Sequence, residues 1–121
     1  MKNQSLARRF QNALNGLRVA AETESSFRTH LFFALSVFVG LVTMRPEPFW
    51  WALVAFTVGA VLAAELFNTA LEMLVDFLHP EKHSVIGKVK DCAAAAVLVW
   101  SCVAVAVALA LIYSKMLPEG K

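Results

Sequence analysis

Glu65, Asn68, Thr69, Glu72 and Asp76 fall at i, i+3, i+4, i+7 and i+11 of one stretch, Ala64–Asp76. At roughly 100° per residue these five share one face of a helix. Leu66, Phe67, Leu71, Met73, Leu74 and Val75 take the other face. The stretch directly continues the apolar run Phe49–Ala63, with no turn residue between them. A polar stripe that ends a hydrophobic helix must face protein, water or ligand. A carboxylate facing lipid costs roughly 2.5–3.5 kcal/mol at the centre of a bilayer. Several acids on one stripe therefore need cations or protons. Ion paths, metal sites and general bases all meet that need.

The chain that positions these residues has 121 residues, is 59% hydrophobic and only 17% charged. A soluble domain is nearer 45–50% apolar and about 25% charged. The mean hydropathy of +0.62 agrees with an integral membrane protein. The net charge of +2 gives no argument for nucleic acid. The N-terminus lacks the basic tip, apolar run and small-residue site of a cleavable signal peptide. Cys92 and Cys102 lie about 15 Å apart along a helix. That is too far for a bridge within the helix, and they lack metal-ligand spacing.

In chain order, residues 1–25 read as an amphipathic surface helix. Leu6, Phe10, Leu14, Leu17 and Ala21 repeat at spacings of 3 and 4, with Arg8, Arg9, Asn12, Asn15 and Arg18 between them. A basic helix of modest hydrophobicity lies in the membrane interface. Gly16 within it admits a bend or a close backbone approach. A polar junction, Glu22–Arg28, precedes a first span over 27–44. That span reaches full length with Arg28 snorkelling into the headgroups. Arg45-Pro46-Glu47-Pro48 breaks the helix, and Trp50 and Trp51 suit an aromatic belt. The second span covers 49–78, the loop His79–Ser84 follows, and the third span covers 85–115. The Ala93–Ala96 tract gives the third span a smooth surface for close helix packing. The whole of 1–121 is one domain.

Lys2, Arg8, Arg9, Arg18 and Arg28 flank the first span, and Lys82, Lys88 and Lys90 lie in or beside the second loop. The intervening loop has only Arg45. The positive-inside rule puts the N-terminus and the second loop in the cytoplasm and the C-terminus outside. Glu24, Glu72, Asp76, Lys90 and Asp91 then gather at the cytoplasmic interface. Carboxylates with room for water suit Mg²⁺, which takes one or two of them together with substrate phosphates. Glu65 lies deeper, about two turns from Glu72. Desolvation at that depth suits it to general-base work. No phosphate-binding glycine loop, dinucleotide fingerprint or His-Glu-x-x-His occurs. Pro80 argues against a helical metal pair of His79 and His83, which read as solvated or nucleotide-facing.

Glu65-Leu-Phe-Asn-Thr-Ala-Leu-Glu-Met-Leu-Val-Asp76 resembles the signature of the small prokaryotic diacylglycerol kinase family. The resemblance continues at Asn15-Gly-Leu-Arg18, Glu24-Ser-Ser-Phe-Arg28 and Lys90-Asp-Cys-Ala-Ala-Ala-Ala-Val97, and covers nearly the whole chain. It implies an all-α protein of the bacterial plasma membrane, with a surface helix and three spans per subunit. It further implies a homotrimer with composite sites between subunits, and transfer of the ATP γ-phosphate to a lipid hydroxyl. By position, Glu65 looks like the catalytic base, and Glu24 and Glu72 like the Mg²⁺ carboxylates. Glu81, Lys82, His83, Lys90 and Asp91 fall where the family contacts nucleotide. Asn68 and Asp76 complete the polar stripe.

The resemblance implies one of two acceptors, diacylglycerol or undecaprenol. His30 stands where the diacylglycerol type tends to have Glu. Phe27-Arg-Thr-His-Leu31 and His79-Pro-Glu-Lys-His83 look nearer the undecaprenol branch. Two readings from other classes stand beside the lipid kinase. One is a small oligomeric ion-coupled transporter or channel, because intramembrane acids mark ion pathways. Against it, Phe49–Ala63 offers only Thr57 as a polar group in the outer half. The other is a purely structural membrane subunit.

Overall fold

The first helix starts at a serine. Ser5 has extended backbone, and its hydroxyl accepts the Arg8 backbone N–H at 3.2 Å, satisfying one of the unpaired N–H groups that every helix start leaves. From that cap α1 runs Leu6–Thr23. The computed structural model describes residues 3–118. Lys2, counted above among the basic residues, lies outside the described residues. Leu6, Phe10, Leu14 and Leu17 are all exposed, so the apolar stripe of α1 faces away from the rest of the chain. Gly16 makes no close approach, since a Cβ there would meet nothing within 4 Å.

The polar stretch after α1 is helical on both sides of a single residue. Glu24 alone is extended, and α2 runs Ser25–Met44. Its side chains explain why polar sequence continues as helix. Thr23 Oγ1 donates to the Val19 carbonyl at 2.8 Å and Thr29 Oγ1 to that of Ser25 at 3.0 Å. Arg28 reaches back towards the end of α1. Its Nη1 donates to the Ala21 carbonyl at 2.8 Å and that of Glu22 at 3.4 Å. A cation there satisfies the last carbonyls of α1 and meets the negative end of its dipole. The 20 residues of α2 make about 30 Å, enough to cross the hydrocarbon.

Arg45 ends α2 in the left-handed region, φ 51 and ψ 55. That conformation costs a non-glycine residue roughly 1–2 kcal/mol. The chain then reverses through Pro46 and Glu47. Pro48 opens α3 at the first helical position, where its missing N–H costs nothing. Helix α3 runs Pro48–Leu78, and after a short loop α4 runs Ser84–Met116. The described residues contain four helices. Three of them, α2, α3 and α4, are long and apolar enough to cross a membrane.

Packing follows chain order. The broadest contact joins α3 to α4, α2 lies against α3, and α1 touches both α2 and α3. Leu41, Val54 and Leu111 form a buried cluster near the Arg45–Glu47 turn, with Trp50, Trp51 and Val107 against it. Edge-to-face ring pairs add to this at Phe38–Trp51 and Phe56–Trp100, with centroids 6.1 and 5.8 Å apart. Most large apolar side chains remain exposed, among them Phe32, Phe67, Leu98 and Leu109. That exterior suits lipid or a second copy of the chain rather than water.

Candidate active site

Alternate antiparallel spans bring three parts of the chain to one end. These are the α1–α2 junction, the last turns of α3 and the first turns of α4. Glu65 lies sixteen residues beyond Phe49, or about 24 Å along α3. Counted from Phe49 as one edge of a hydrocarbon layer about 30 Å thick, it falls just inside the apolar layer, far from Trp50 and Trp51. Glu72 and Asp76 lie about two and three turns further on, beyond that layer.

Glu65 is 4% exposed. Two groups of α2 reach it across the interface. Ser26 Oγ donates to Glu65 Oε1 at 3.4 Å, and His30 Nδ1 lies 3.5 Å from the same oxygen. A buried carboxylate without partners is costly, and this pair is its supply of donors. Ser26 was not singled out in the sequence, and His30 drew notice only as a departure from a family pattern. The i, i+4 spacing of Ser26 and His30 puts them on one face of α2, and that was the available signal.

The expected polar stripe of α3 is present. Thr69 is buried, Asn68 and Glu72 are half-buried, and Asp76 is exposed. Asn68 Nδ2 donates to Glu72 Oε1 at 3.2 Å. Asn68 Oδ1 and Thr69 Oγ1 are buried with no hydrogen-bond partner among the described residues. Each unpaired buried polar atom costs about 1–3 kcal/mol. At the end of the stripe, Asp76 Oδ1 accepts from Lys90 Nζ at 2.6 Å, joining α3 to α4.

The loop between α3 and α4 is held by its histidines. His79 Nδ1 donates to the Glu81 carbonyl at 3.1 Å. His83 Nδ1 accepts the Val85 backbone N–H at 3.1 Å, capping α4. The His83 proton therefore sits on Nε2, the nitrogen left for a ligand. The two rings meet edge to face at 5.9 Å. Beside them is an open recess of about 450 Å³, lined by Asp76, Glu81, Lys82, His83 and Lys90 among others. Its size falls within the range of small-molecule sites. Asp91 is exposed and does not line it.

Glu24 is half-buried at the α1–α2 junction. Among the described residues, no three His, Cys, Asp or Glu side chains converge as a metal cage. A Mg²⁺ site need not be such a cage, since this hard cation keeps waters and is completed by substrate phosphates.

Fold and site together define a three-span membrane protein whose buried carboxylate and charged recess lie towards the same end. The chain belongs to the prokaryotic diacylglycerol kinase family, whose model matches residues 11–112. The members of that family are phosphotransferases with an alcohol group as acceptor. The chain is 35% identical over 109 residues to a diacylglycerol kinase of Synechocystis sp., covering 89% of this chain and 62% of the relative. It thus spans somewhat less than two thirds of that protein's length. An undecaprenol kinase of Bacillus subtilis is 28% identical over 88% of this chain and 87% of its own. A diacylglycerol kinase of Escherichia coli is 32% identical over 82% of this chain and 81% of its own.

Proposed function

We propose that the chain is an ATP-dependent membrane lipid kinase, with Glu65 as general base. The observation that carries this reading is the burial of Glu65 at the edge of the apolar layer, on the helix that leads to the recess lined by Lys82, His83 and Lys90. A lipid hydroxyl arrives from the bilayer and a nucleotide from water, so the two meet at such an edge. The lipid oxygen forms a bond to the γ-phosphorus as the bond to the bridging oxygen of ADP breaks. Glu65 takes the hydroxyl proton, and ADP leaves with the displaced oxygen. Lys82, His83 and Lys90 hold the nucleotide, with Glu81 on the same recess and Asp91 contacting it from outside the recess lining. Glu24 and Glu72 would hold Mg²⁺, which when bound offsets the negative charge of the phosphates.

The acceptor is an alcohol lipid. The His30 and His79–His83 patterns favour undecaprenol, as in the Bacillus subtilis relative, and diacylglycerol is the alternative. The products are undecaprenyl phosphate or phosphatidic acid, respectively. The test is ADP release by purified protein in mixed micelles with each lipid. Release that needs ATP and a lipid alcohol is expected, faster with undecaprenol. ATP-independent ion flux in proteoliposomes without lipid-dependent ADP release would establish the transporter reading instead.

The working unit we propose is a homotrimer with its N-termini in the cytoplasm and its C-termini outside. Its support is the exposed apolar exterior and the unpartnered Asn68 and Thr69 oxygens, which one chain leaves unsatisfied. Mixing Glu65→Gln chains with Glu24→Gln chains should restore part of the activity, because each site would then draw on two subunits. No recovery in demonstrably mixed oligomers would place the site within one chain.

Lys90 gives a separate check on the nucleotide recess. Lys90→Met should raise the KM for ATP by roughly tenfold or more, through loss of a charge-assisted phosphate contact. Thermal stability should change little, because exposed ion pairs contribute little. An unchanged KM for ATP would remove Lys90 from the nucleotide site.

A further inference from the structure

We infer that His30 is a positioning residue for the Glu65 carboxylate. This rests on the reading of Glu65 as general base. The imidazole Nδ1 faces two oxygens, Ser26 O at 3.0 Å and Glu65 Oε1 at 3.5 Å. Both are acceptors when Glu65 is ionised, so Nδ1 carries a hydrogen and shares it between them. The Ser26 carbonyl fixes the ring on α2, and the ring in turn restrains the carboxylate on α3. Ser26 Oγ completes the arrangement at 3.4 Å from the same Oε1. Both restraints fall on Oε1, and among the described residues no hydrogen bond engages Oε2. The carboxylate is thus held by one oxygen with the other left to take a proton.

Without the ring, Ser26 Oγ is left as the one donor to Oε1 among the described residues. Among the described residues, no lysine or arginine forms an ion pair with Glu65. The His30 side chain is 25% exposed, and it borders an apolar recess of about 330 Å³ lined by Phe33, Ala34, Val58, Leu62 and Val105. Truncating His30 therefore opens apolar space beside Glu65 and brings no new donor. A carboxylate held by the 3.4 Å Ser26 contact alone keeps less of the alignment on which proton transfer depends.

Steady-state kinetics of purified protein in mixed micelles, with ATP and undecaprenol or diacylglycerol, test this. His30→Ala should lower kcat by roughly 10–10²-fold, the scale of a misplaced reacting group, with the KM for ATP unchanged. His30→Asn should recover most of the loss, because its amide N–H falls where Nδ1 does. His30→Gln, whose amide falls at the Nε2 position, should not. In a Glu65→Gln background, His30→Ala should cost little more, since residues acting as one unit are not additive. Full kcat in His30→Ala, Gln rescuing better than Asn, or losses that multiply in the double variant would each overturn the inference. If His30→Ala fails to fold, the order of Asn and Gln decides alone. A nearly fully active Glu65→Gln would remove the base reading itself. An inactive Glu65→Gln beside a fully active His30→Ala would remove only the role of His30.

Discussion

Glu65→Gln should lower kcat by about 10²–10⁴-fold, the usual worth of general-base help, with a much smaller effect on the KM for ATP or lipid. Glutamine keeps the shape and a carbonyl oxygen, so the contacts with Ser26 Oγ and His30 Nδ1 survive in form. What it cannot do is accept the proton of the lipid hydroxyl. A loss confined to kcat is the mark of an interaction made in the transition state. Glu65→Asp should fall between the two, because its carboxylate is one methylene short of the lipid oxygen. The rival role for Glu65 is a bond between α2 and α3 and nothing more. That role predicts a Glu65→Gln protein of lower Tm and nearly full turnover. Measuring Tm and kcat on the same purified variant separates the two, and a less stable but nearly fully active protein would end the base assignment.

Glu72→Gln should abolish turnover while the protein remains folded and assembled. The Asn68 Nδ2 bond, now to Glu72 Oε1 at 3.2 Å, has an acceptor in glutamine too, so the local structure of α3 is kept. The negative charge is lost. Mg²⁺ bound through one or two carboxylates and the phosphates is weakened when one carboxylate becomes an amide, and phosphoryl transfer relies on charge stabilisation almost entirely. Nucleotide binding in the presence of Mg²⁺ should weaken more than lipid binding. Titrating Mg²⁺ against activity checks this, and unchanged activity at limiting Mg²⁺ would refute the metal role of Glu72.

The spans and the polar stripe were legible because both are periodic within one helix. The prolines at 46 and 48 marked the α2–α3 turn, and the 3-and-4 spacing of Glu65, Asn68, Thr69, Glu72 and Asp76 marked the buried face of α3. The His30–Glu65 contact was not legible. Its partners are 35 residues apart, and their meeting depends on the register and rotation of α2 against α3. Those are set by the Arg45–Glu47 turn and by the packing of Leu41, Val54 and Leu111, not by any local pattern. The polar residues 22–28 read as a junction, yet all but Glu24 are helical. Thr23, Arg28 and Thr29 instead bond the helices' own carbonyls. His83 read as solvated or ligand-facing, and its use as the cap of α4 came from one nitrogen, which leaves the other open to a ligand.

The single extended residue at Glu24 makes a lever of the N-terminal half. Helix α1 is suited to the membrane surface and α2 to crossing it, and Arg28 ties the end of the first to the start of the second. The angle between them is therefore carried at Glu24. A spanning helix tilts when its apolar length exceeds the thickness of the hydrocarbon and straightens when it does not. Each change in tilt of α2 then shifts the Glu24 carboxylate relative to the end of α3. With Glu24 in its proposed role as a metal carboxylate, bilayer thickness becomes an input to the phosphate-transfer geometry, and turnover should pass through an optimum as the acyl chains of the host lipid are lengthened.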